Sequence, residues 1–562
     1  MGRQKDTEKR TPRRARSFQV RFAPSMRAVR VAPGATLIDA AVQAGVWIDT
    51  PCGGDGECGK CVVRVTGGLA DPTGVEKEHL TEEGLRRGAR LACQASVAGD
   101  CTVETPGTAE LIPAKTGLSG AVPLAVQLPT FKAGRGPALG GAIDIGTTTL
   151  CASCIDLRTG ERLGIASSEN PQTRFGADVM TRIERCRRDP DAAGVMHENV
   201  TSELNGLLSG IAAGAGRSPG ELVRLVLVGN TTMIHLALGE DPSPLGSYPF
   251  EPVVRGPVEV EPSGIGLDAA PGAMALVPPL MSGFLGADIL AVMLATETGC
   301  SPGARLVIDL GTNGEIALGS SERILACSTA AGPAFEGMEI SSGMRAVPGA
   351  IESFSRDGHL APKALGGGKP LGICGSGLLD AAAALLETGL LRPNGRLVPP
   401  DEAEAIIPGR VRDDGNMREF LLAAGTQLYL TQQDVRQFQL AKGAVSSGIQ
   451  VLASMLGTDY AGVEIVNLAG VFGSFVKPAS AVAVGLLPAG LEGRIEFAGN
   501  AALLGAEMML VSEKQWDRAL RLAARSEPVE LSGDPLFEKL FIENLSFRSL
   551  KHSQTSHPTS FR

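Results

Sequence analysis

Aromatic side chains are scarce in this chain of 562 residues: they make up 4%, with two tryptophans and three tyrosines. Its cores must therefore be aliphatic, and at 43% hydrophobic residues the chain is long enough for three or four of ordinary domain size. No apolar run approaches eighteen residues, so no membrane-spanning helix and no membrane partner is expected. A basic stripe is also missing from the body of the chain. The formal charge is −9 and the pI about 5.4, which argues against a nucleic-acid partner. There is no secretory signal pattern, and the eleven cysteines show no regular pairing. A reducing cytoplasm is expected rather than a disulfide framework.

The two ends lack hydrophobic periodicity. Residues 1–16, MGRQKDTEKRTPRRAR, hold seven of the 52 basic and two of the 61 acidic residues, so the remainder carries −14. The Arg13-Arg14 pair is followed by a strand pattern rather than an apolar segment, and a solvated, disordered basic tail is expected. Residues 549–562 read as a second frayed tail.

The densest chemistry lies in PCGGDGECGKCV, Pro51 to Val62. Cys52, Cys58 and Cys61 form a C-x5-C-x2-C run, and Cys93 follows 32 residues after Cys61. Four glycines among the eight positions 53–60 let the backbone wrap tightly and turn N–H groups toward sulfur. Four thiolates in this pattern point to a 2Fe-2S cluster and one-electron chemistry. A structural zinc site is the competing reading, but it would ordinarily bring a second C-x2-C pair or histidines.

Around the cysteines, Phe18, Val20 and Phe22 alternate, Val29 and Val31 resume after Pro24-Ser25, and Thr36 caps a helix through Leu37, Ala40 and Ala41 that ends at Gly45. Strands are also expected at Val62 to Val65 and near Thr102 to Glu104. This order resembles a β-grasp ferredoxin domain over residues 17–106. The six-residue step from Cys52 to Cys58 places the resemblance nearer adrenodoxin and putidaredoxin than the plant type. Cys101 is left without a role. Residues 107–138, rich in proline and glycine, read as a linker.

The remaining chain repeats itself. AIDIGTTTLCAS from Ala142 and VIDLGTNGEIAL from Val307 align without a gap, placing Asp144 on Asp309, Gly146 on Gly311 and Thr147 on Thr312, 165 residues apart. Each reads as a strand, an Asp-x-Gly-Thr turn and a second strand. In such a turn the glycine exposes backbone N–H groups to an anion, the threonine adds a hydroxyl donor and the aspartate can hold Mg²⁺, often through water. Each half then carries an apolar strand, a small-residue turn and a helix: LVRLVLVGNTTMIHLALG from Leu222, and VEIVNLAGVFGSF from Val463. GICGSGLLDAAAALLETG, Gly372 to Gly389, places Gly375-Ser376-Gly377 before an amphipathic helix. CSTAAGPAFEGMEISSGMRA, Cys327 to Ala346, is expected to line a cleft.

Paired turns of this kind, with a later Ala-Gly-x-x-Gly-Ser segment, resemble the acetate and sugar kinase, Hsp70 and actin superfamily, in which two ribonuclease-H-like halves close over ATP. The fold class expected is α/β multidomain, a ferredoxin domain ahead of a duplicated ATPase fold with halves at residues 139–300 and 301–548. Within that superfamily, a ferredoxin domain fused ahead of AIDIGTTT, GNTTMIHLALG, IDLGTNGEIAL, AAGPAFEGM and ICGSGLLD resembles the reductive activators of corrinoid proteins. The resemblance implies ATP-coupled reduction of an inactive Co(II) corrinoid to Co(I) in a methyltransferase system, served by a low-potential electron donor. A homodimer is left open.

On that resemblance, Cys52, Cys58, Cys61 and Cys93 bind the cluster, and Asp144 and Asp309 organise Mg²⁺ and water. Thr147, Thr148, Thr312 and Asn313 meet the β- and γ-phosphates beside Gly146 and Gly311. Gly470, Gly473 and the segment Gly375, Ser376 and Gly377 flank the adenosine. Glu315 either positions the attacking water or is a solvated strand residue. Two other jobs fit the same parts: activating a 2-hydroxyacyl-CoA dehydratase, or nucleotide-gated sensing without turnover.

Overall fold

The computed structural model describes residues 17–23, 26–44, 46, 48, 56, 59, 61–105, 127, 138–415, 417–470 and 476–547. Both expected tails, nearly all of the expected linker, the Pro24-Ser25 turn, Gly45, Cys52, Cys58 and Gly473 lie outside the described residues.

The N-terminal unit is built on strands β1 (Phe18–Ala23), β2 (Ala28–Val31), β3 (Val62–Leu69), β4 (Ala89–Leu91) and β5 (Val97–Glu104). They form one mixed sheet in the order β2-β1-β5-β3-β4, with β1 and β5 parallel. Alternation in FQVRFA puts Val20 and Phe22 into the core. The helix Leu37–Gln43 adds Leu37, Ala40 and Ala41 to that core. At its start the Thr36 hydroxyl accepts from the Asp39 N–H at 3.1 Å while the Asp39 carboxylate accepts from the Thr36 N–H at 3.1 Å, so two end donors are satisfied reciprocally. A buried ion pair fixes the approach to Cys93: Arg90 donates to both oxygens of Glu76 at 2.8 and 2.9 Å, and the Leu91 N–H donates to the same carboxylate at 3.1 Å.

The larger unit contains two sheets of one design. The first uses β6 (Leu139–Ile145), β7 (Thr149–Asp156), β8 (Arg162–Glu169), β9 (Leu222–Gly229), β10 (Val258–Val260) and β11 (Met274–Val277), in the order β10-β11-β9-β6-β7-β8. The second begins with β12 (Ala304–Leu310), β13 (Gly314–Gly319) and β14 (Ile324–Thr329). Two small sheets intervene, one of β15 (Ala350–Phe354), β16 (Pro362–Ala364) and β17 (Gly372–Ile373), the other of β18 (Val411–Asp414), β19 (Met417–Leu421) and β20 (Tyr429–Thr431). The second large sheet is completed by β21 (Val463–Ala469), β22 (Ile495–Gly499) and β23 (Ser526–Pro528), in the order β22-β21-β12-β13-β14-β23.

Both large sheets thus share a core in which an antiparallel meander of three strands continues through its first strand into two parallel ones. This is the ribonuclease-H-like arrangement, present twice. The central strands are largely buried on both faces, as their mostly apolar sequences require.

Two helices join the sheets. Ala287–Ala295 leads from the first sheet into β12; Ala501–Val511 leaves β22 of the second and lies on β6, β9 and Ala287–Ala295. They cross where Gly505 meets the Ala291 backbone. A Cβ on Gly505 would stand 2.1 Å from the Ala291 carbonyl oxygen, so only glycine allows this approach. Arg162 of β8 forms a two-pronged ion pair with the buried Glu507. The helix Gly375–Glu387 corrects one expectation: Gly375, Ser376 and Gly377 are its first turn, and all but its last residue are buried, so it is not amphipathic. It sits between the small sheet of β15 and the rest of the second half, with no solvent face to supply.

Candidate functional site

The Asp-x-Gly-Thr turns from the two halves open into one cleft. Asp144, Gly146, Thr147, Thr148, Asp309, Gly311, Thr312, Asn313, Glu315, Gly375, Ser376 and Gly470 all line it. The equivalence read from the sequence is kept in register: Asp144 lies opposite Val228 on the parallel neighbour β9, and Asp309 opposite Ala469 on β21.

The first turn is held from behind through its carbonyls. Asn170 Nδ2 donates to the Gly146 carbonyl at 2.8 Å, the fully buried Arg182 to that of Thr147 at 2.5 Å, and the Asn170 N–H to that of Thr148 at 2.9 Å. Asn230, the N-cap of the helix Thr231–Leu238, donates to the Thr147 hydroxyl at 2.9 Å. With three consecutive carbonyls engaged, the turn is fixed before any anion arrives. A Cβ on Gly146 would come within 2.5 Å of the Thr149 carbonyl, whereas one on Gly311 would project into the cleft with nothing nearer than 3.7 Å. Gly146 is needed for the turn, and Gly311 leaves space above it for a ligand.

Carboxylates converge on the same cleft. Removal from water pushes Asp144 up to about 7, with the charge of Asp288 adding to the rise while a 2.9 Å hydrogen bond from Asn500 opposes it. Asp309 also rises to about 7, through desolvation and then the charges of Asp288 and Asp144. Asp288 is raised by desolvation, and Glu315 well above the usual range by desolvation, Asp288 and Asp309. The sequence alternative of a solvated Glu315 does not hold: the side chain is buried, with Ser328 3.4 Å away. Acids that resist ionisation through burial, and then through mutual repulsion, are a ready environment for a divalent cation. Among the described residues no three such ligands are close enough to bind one directly. Mg²⁺ would fit here through water, between carboxylates and phosphate oxygens.

Asp288, Asn500, Asn230 and Glu336 are functional candidates that sequence reasoning missed. Asp288 carries the only charge in the apolar helix Ala287–Ala295, and Asn500 precedes the apolar helix from Ala501; both were signals available in the sequence. Gly470, in a left-handed conformation, lies against Asp309, where an added Cβ would stand 2.9 Å from its Oδ1. Gly377 faces away, against the Ile351 carbonyl. Cys151 lines the cleft and Cys154 is buried on the same strand. His235 is a satisfied core histidine: Nδ1 donates to the Thr231 carbonyl at 2.7 Å and Nε2 accepts from the N–H groups of Val253 and Val254 at 3.0 and 3.2 Å.

In the N-terminal unit, the Cys61 and Cys93 sulfurs lie 3.2 Å apart. That is well beyond the roughly 2.05 Å of a disulfide and suits two thiols sharing one metal. Gln94 Nε2 points at the Cys93 sulfur from 3.8 Å. Cys101 is in the apolar core, where burial pushes its thiol up to about 11. These two sulfurs fit half of a 2Fe-2S ligand set; the other two expected ligands lie outside the described residues.

Comparison with known proteins follows the same division. Residues 20–98 match the 2Fe-2S iron-sulfur cluster binding domain, residues 139–300 the RACo middle region, and residues 303–558 the C-terminal domain of RACo, the ASKHA domain. The corrinoid activation enzyme RamQ of Eubacterium limosum is 33% identical over 422 residues, which are 73% of this chain and 70% of that relative. The chain belongs to the family of corrinoid-protein reductive activators. A further relative, the Co(II) methylated amine-specific corrinoid protein reductase of Methanosarcina barkeri, is 28% identical over 302 residues, 48% of this chain and 51% of its own. Among solved structures, a reductive activator for corrinoid, iron-sulfur protein superposes with a TM-score of 0.67 at 28% identity, covering 94% of this chain and 98% of the other. Members of this family are oxidoreductase activators with a 2Fe-2S ferredoxin domain, and none of the described helices here is long and apolar enough to cross a membrane.

Proposed function

We propose that this corrinoid activator uses ATP to pass one electron from its 2Fe-2S centre to the Co(II) corrinoid of a partner protein in a methyltransferase system, giving Co(I). The observation that carries the reading is the meeting of two register-equivalent Asp-x-Gly-Thr turns in one cleft. A 2Fe-2S centre, held by Cys52, Cys58, Cys61 and Cys93, supplies single electrons and is reloaded by a low-potential donor. Each 59 mV of adverse potential costs about a factor of ten, or about 1.4 kcal/mol, so nucleotide must change an equilibrium rather than merely speed a transfer.

The cleft residues supply that change. Gly146, Thr147 and Thr148 on one side and Gly311, Thr312 and Asn313 on the other present N–H and hydroxyl donors to the β- and γ-phosphates. Asp144, Asp288 and Asp309 orient the water shell of Mg²⁺, with Glu315 beside them as the proton acceptor for the attacking water. Gly375 and Ser376 offer the nucleotide a small-residue wall. Because the phosphate donors belong to different halves, ligand that binds both favours their closed arrangement, and closure changes the fit to the corrinoid protein, shifting cobalt ligation or trapping the reduced product.

The test is ATP hydrolysis with and without the Co(II) corrinoid protein. Stimulation by the Co(II) form and not by the methylated form is expected. Hydrolysis indifferent to the partner, or none at all, would favour a nucleotide-gated sensor.

A further inference from the structure

The phosphate end of the cleft already contains a carboxylate from the chain itself. Glu336 ends the short turn Pro333–Glu336, within the small-residue stretch that follows β14. Its Oε1 accepts from the Thr312 hydroxyl at 3.1 Å, and the Thr148 hydroxyl, which lines the same cleft, is near enough to favour the charged carboxylate. Thr148 belongs to the first phosphate turn and Thr312 to the second. Glu336 also lies over Gly311, whose Cβ, if present, would be 3.7 Å from the same oxygen. Arg345, nine residues on, stands close enough to attract Glu336 and pairs with Glu169 at the end of β8. One segment of the second half therefore reaches the first half, through the Arg345–Glu169 ion pair and beside Thr148.

A carboxylate offers acceptor oxygens much as the terminal group of a phosphate chain does. The hydroxyls of Thr148 and Thr312 each have one proton to donate, so neither can serve Glu336 and a phosphate together. We infer that Glu336 is an internal stand-in for the terminal phosphate, which a nucleotide must displace in order to engage both turns. The inference rests on the proposal that this cleft takes ATP. On displacement the phosphoryl group inherits both hydroxyls, the negative charge of Glu336 leaves the site, and Arg345 is released toward the phosphate. On this assignment the Thr148 and Thr312 hydroxyls serve the γ-phosphate and the remaining turn donors the β-phosphate, so nucleotide lacking the third phosphate does not compete for these two, and Glu336 is a determinant of selectivity for the triphosphate. The segment carrying Glu336 and Arg345 is the part of the second half that must move when the exchange occurs.

Calorimetric titration of the full chain with a non-hydrolysable ATP analogue and with ADP, both with Mg²⁺, tests this. Glu336→Ala should bind the ATP analogue about tenfold more tightly than wild type, a change of about 1.4 kcal/mol. Its affinity for ADP should stay within about twofold, well inside that free energy. Glu336→Gln, which keeps an acceptor and loses the charge, should fall between the two and guards against a folding defect in the alanine variant. If both variants bind the analogue as weakly as wild type or more weakly, the stand-in role is wrong. If they bind it unchanged but lose hydrolysis, Glu336 is a general base instead. If wild type binds neither nucleotide, the ATP reading itself fails.

Discussion

Asp144 and Asp309 lie near the end of the first strand of two sheets that share a five-stranded core order, and across the shared cleft the charge of Asp144 helps to raise the proton affinity of Asp309. Each sits near 7, against an ordinary value of 3.8. The folded chain therefore holds protons that the unfolded chain has released. Their contribution to stability is fully present below about pH 3.8 and is eroded as pH rises toward 7. Without Mg²⁺ the melting temperature of the nucleotide unit should fall between pH 5 and pH 8, and MgATP should offset that fall. Asp309→Asn should flatten the slope while abolishing Mg²⁺-dependent nucleotide binding. A slope unchanged by this substitution would contradict the assignment.

Asn500 does two jobs that can be separated. Its Oδ1 accepts from the Leu503 N–H at 2.8 Å as a helix cap, and its Nδ2 donates to Asp144. Asn500→Ala should lose both, at about 1 kcal/mol for the cap alone. Asn500→Ser retains a cap and should recover thermal stability without recovering Mg²⁺-dependent affinity. Full recovery of both by serine would show that Asp144 needs no such donor.

At the helix crossing, Gly505→Val forces a side chain against the Ala291 backbone. A cost of about 1–3 kcal/mol is expected from overpacking, read by chemical denaturation of the nucleotide unit. The iron-sulfur absorption should persist, since no ligand is touched.

The cysteines give a sharper contrast. Cys93→Ser should remove the visible iron-sulfur absorption after anaerobic reconstitution and leave nucleotide affinity unchanged. Cys101→Ser should keep the chromophore and destabilise the N-terminal unit by about 1–3 kcal/mol, because a hydroxyl replaces a buried thiol. Loss of colour in the Cys101 variant would reassign the ligands.

His235 provides a separate pH signature. Burial holds its imidazole below the ordinary 6.5, so the stability it contributes is present above that value and is lost as pH falls through its folded pKa. Protection of the Val253 and Val254 amides, both bonded to its Nε2, should fall on acidification once the slower intrinsic exchange in acid is divided out. Constant protection from pH 7 to pH 5 would mean that the ring stays neutral or that other bonds hold the segment.

Much of this was legible in the sequence because it is local. The two Asp-x-Gly-Thr turns announce themselves by repetition, and the Thr36 cap by residue type. What was hidden depends on tertiary register. Asp288 and Asn500 reach the cleft only because two joining helices cross at Gly505, and nothing near either residue encodes that crossing. Glu336 lies in a stretch without hydrophobic period, so its place between Thr148 and Thr312 comes from long-range packing. The helix from Gly375 looked half-exposed by composition, since alanine suits either environment; burial by the β15 sheet decided it.

The most direct test is a single turnover. The pre-reduced chain is mixed anaerobically with a Co(II) corrinoid protein, with or without MgATP, and Co(I) is followed by its absorbance. One Co(I) per oxidised cluster is predicted with MgATP, little without it, and no more than that nucleotide-free yield with Asp309→Ala under either condition. Equal Co(I) yield with and without nucleotide would contradict the coupling of the two units.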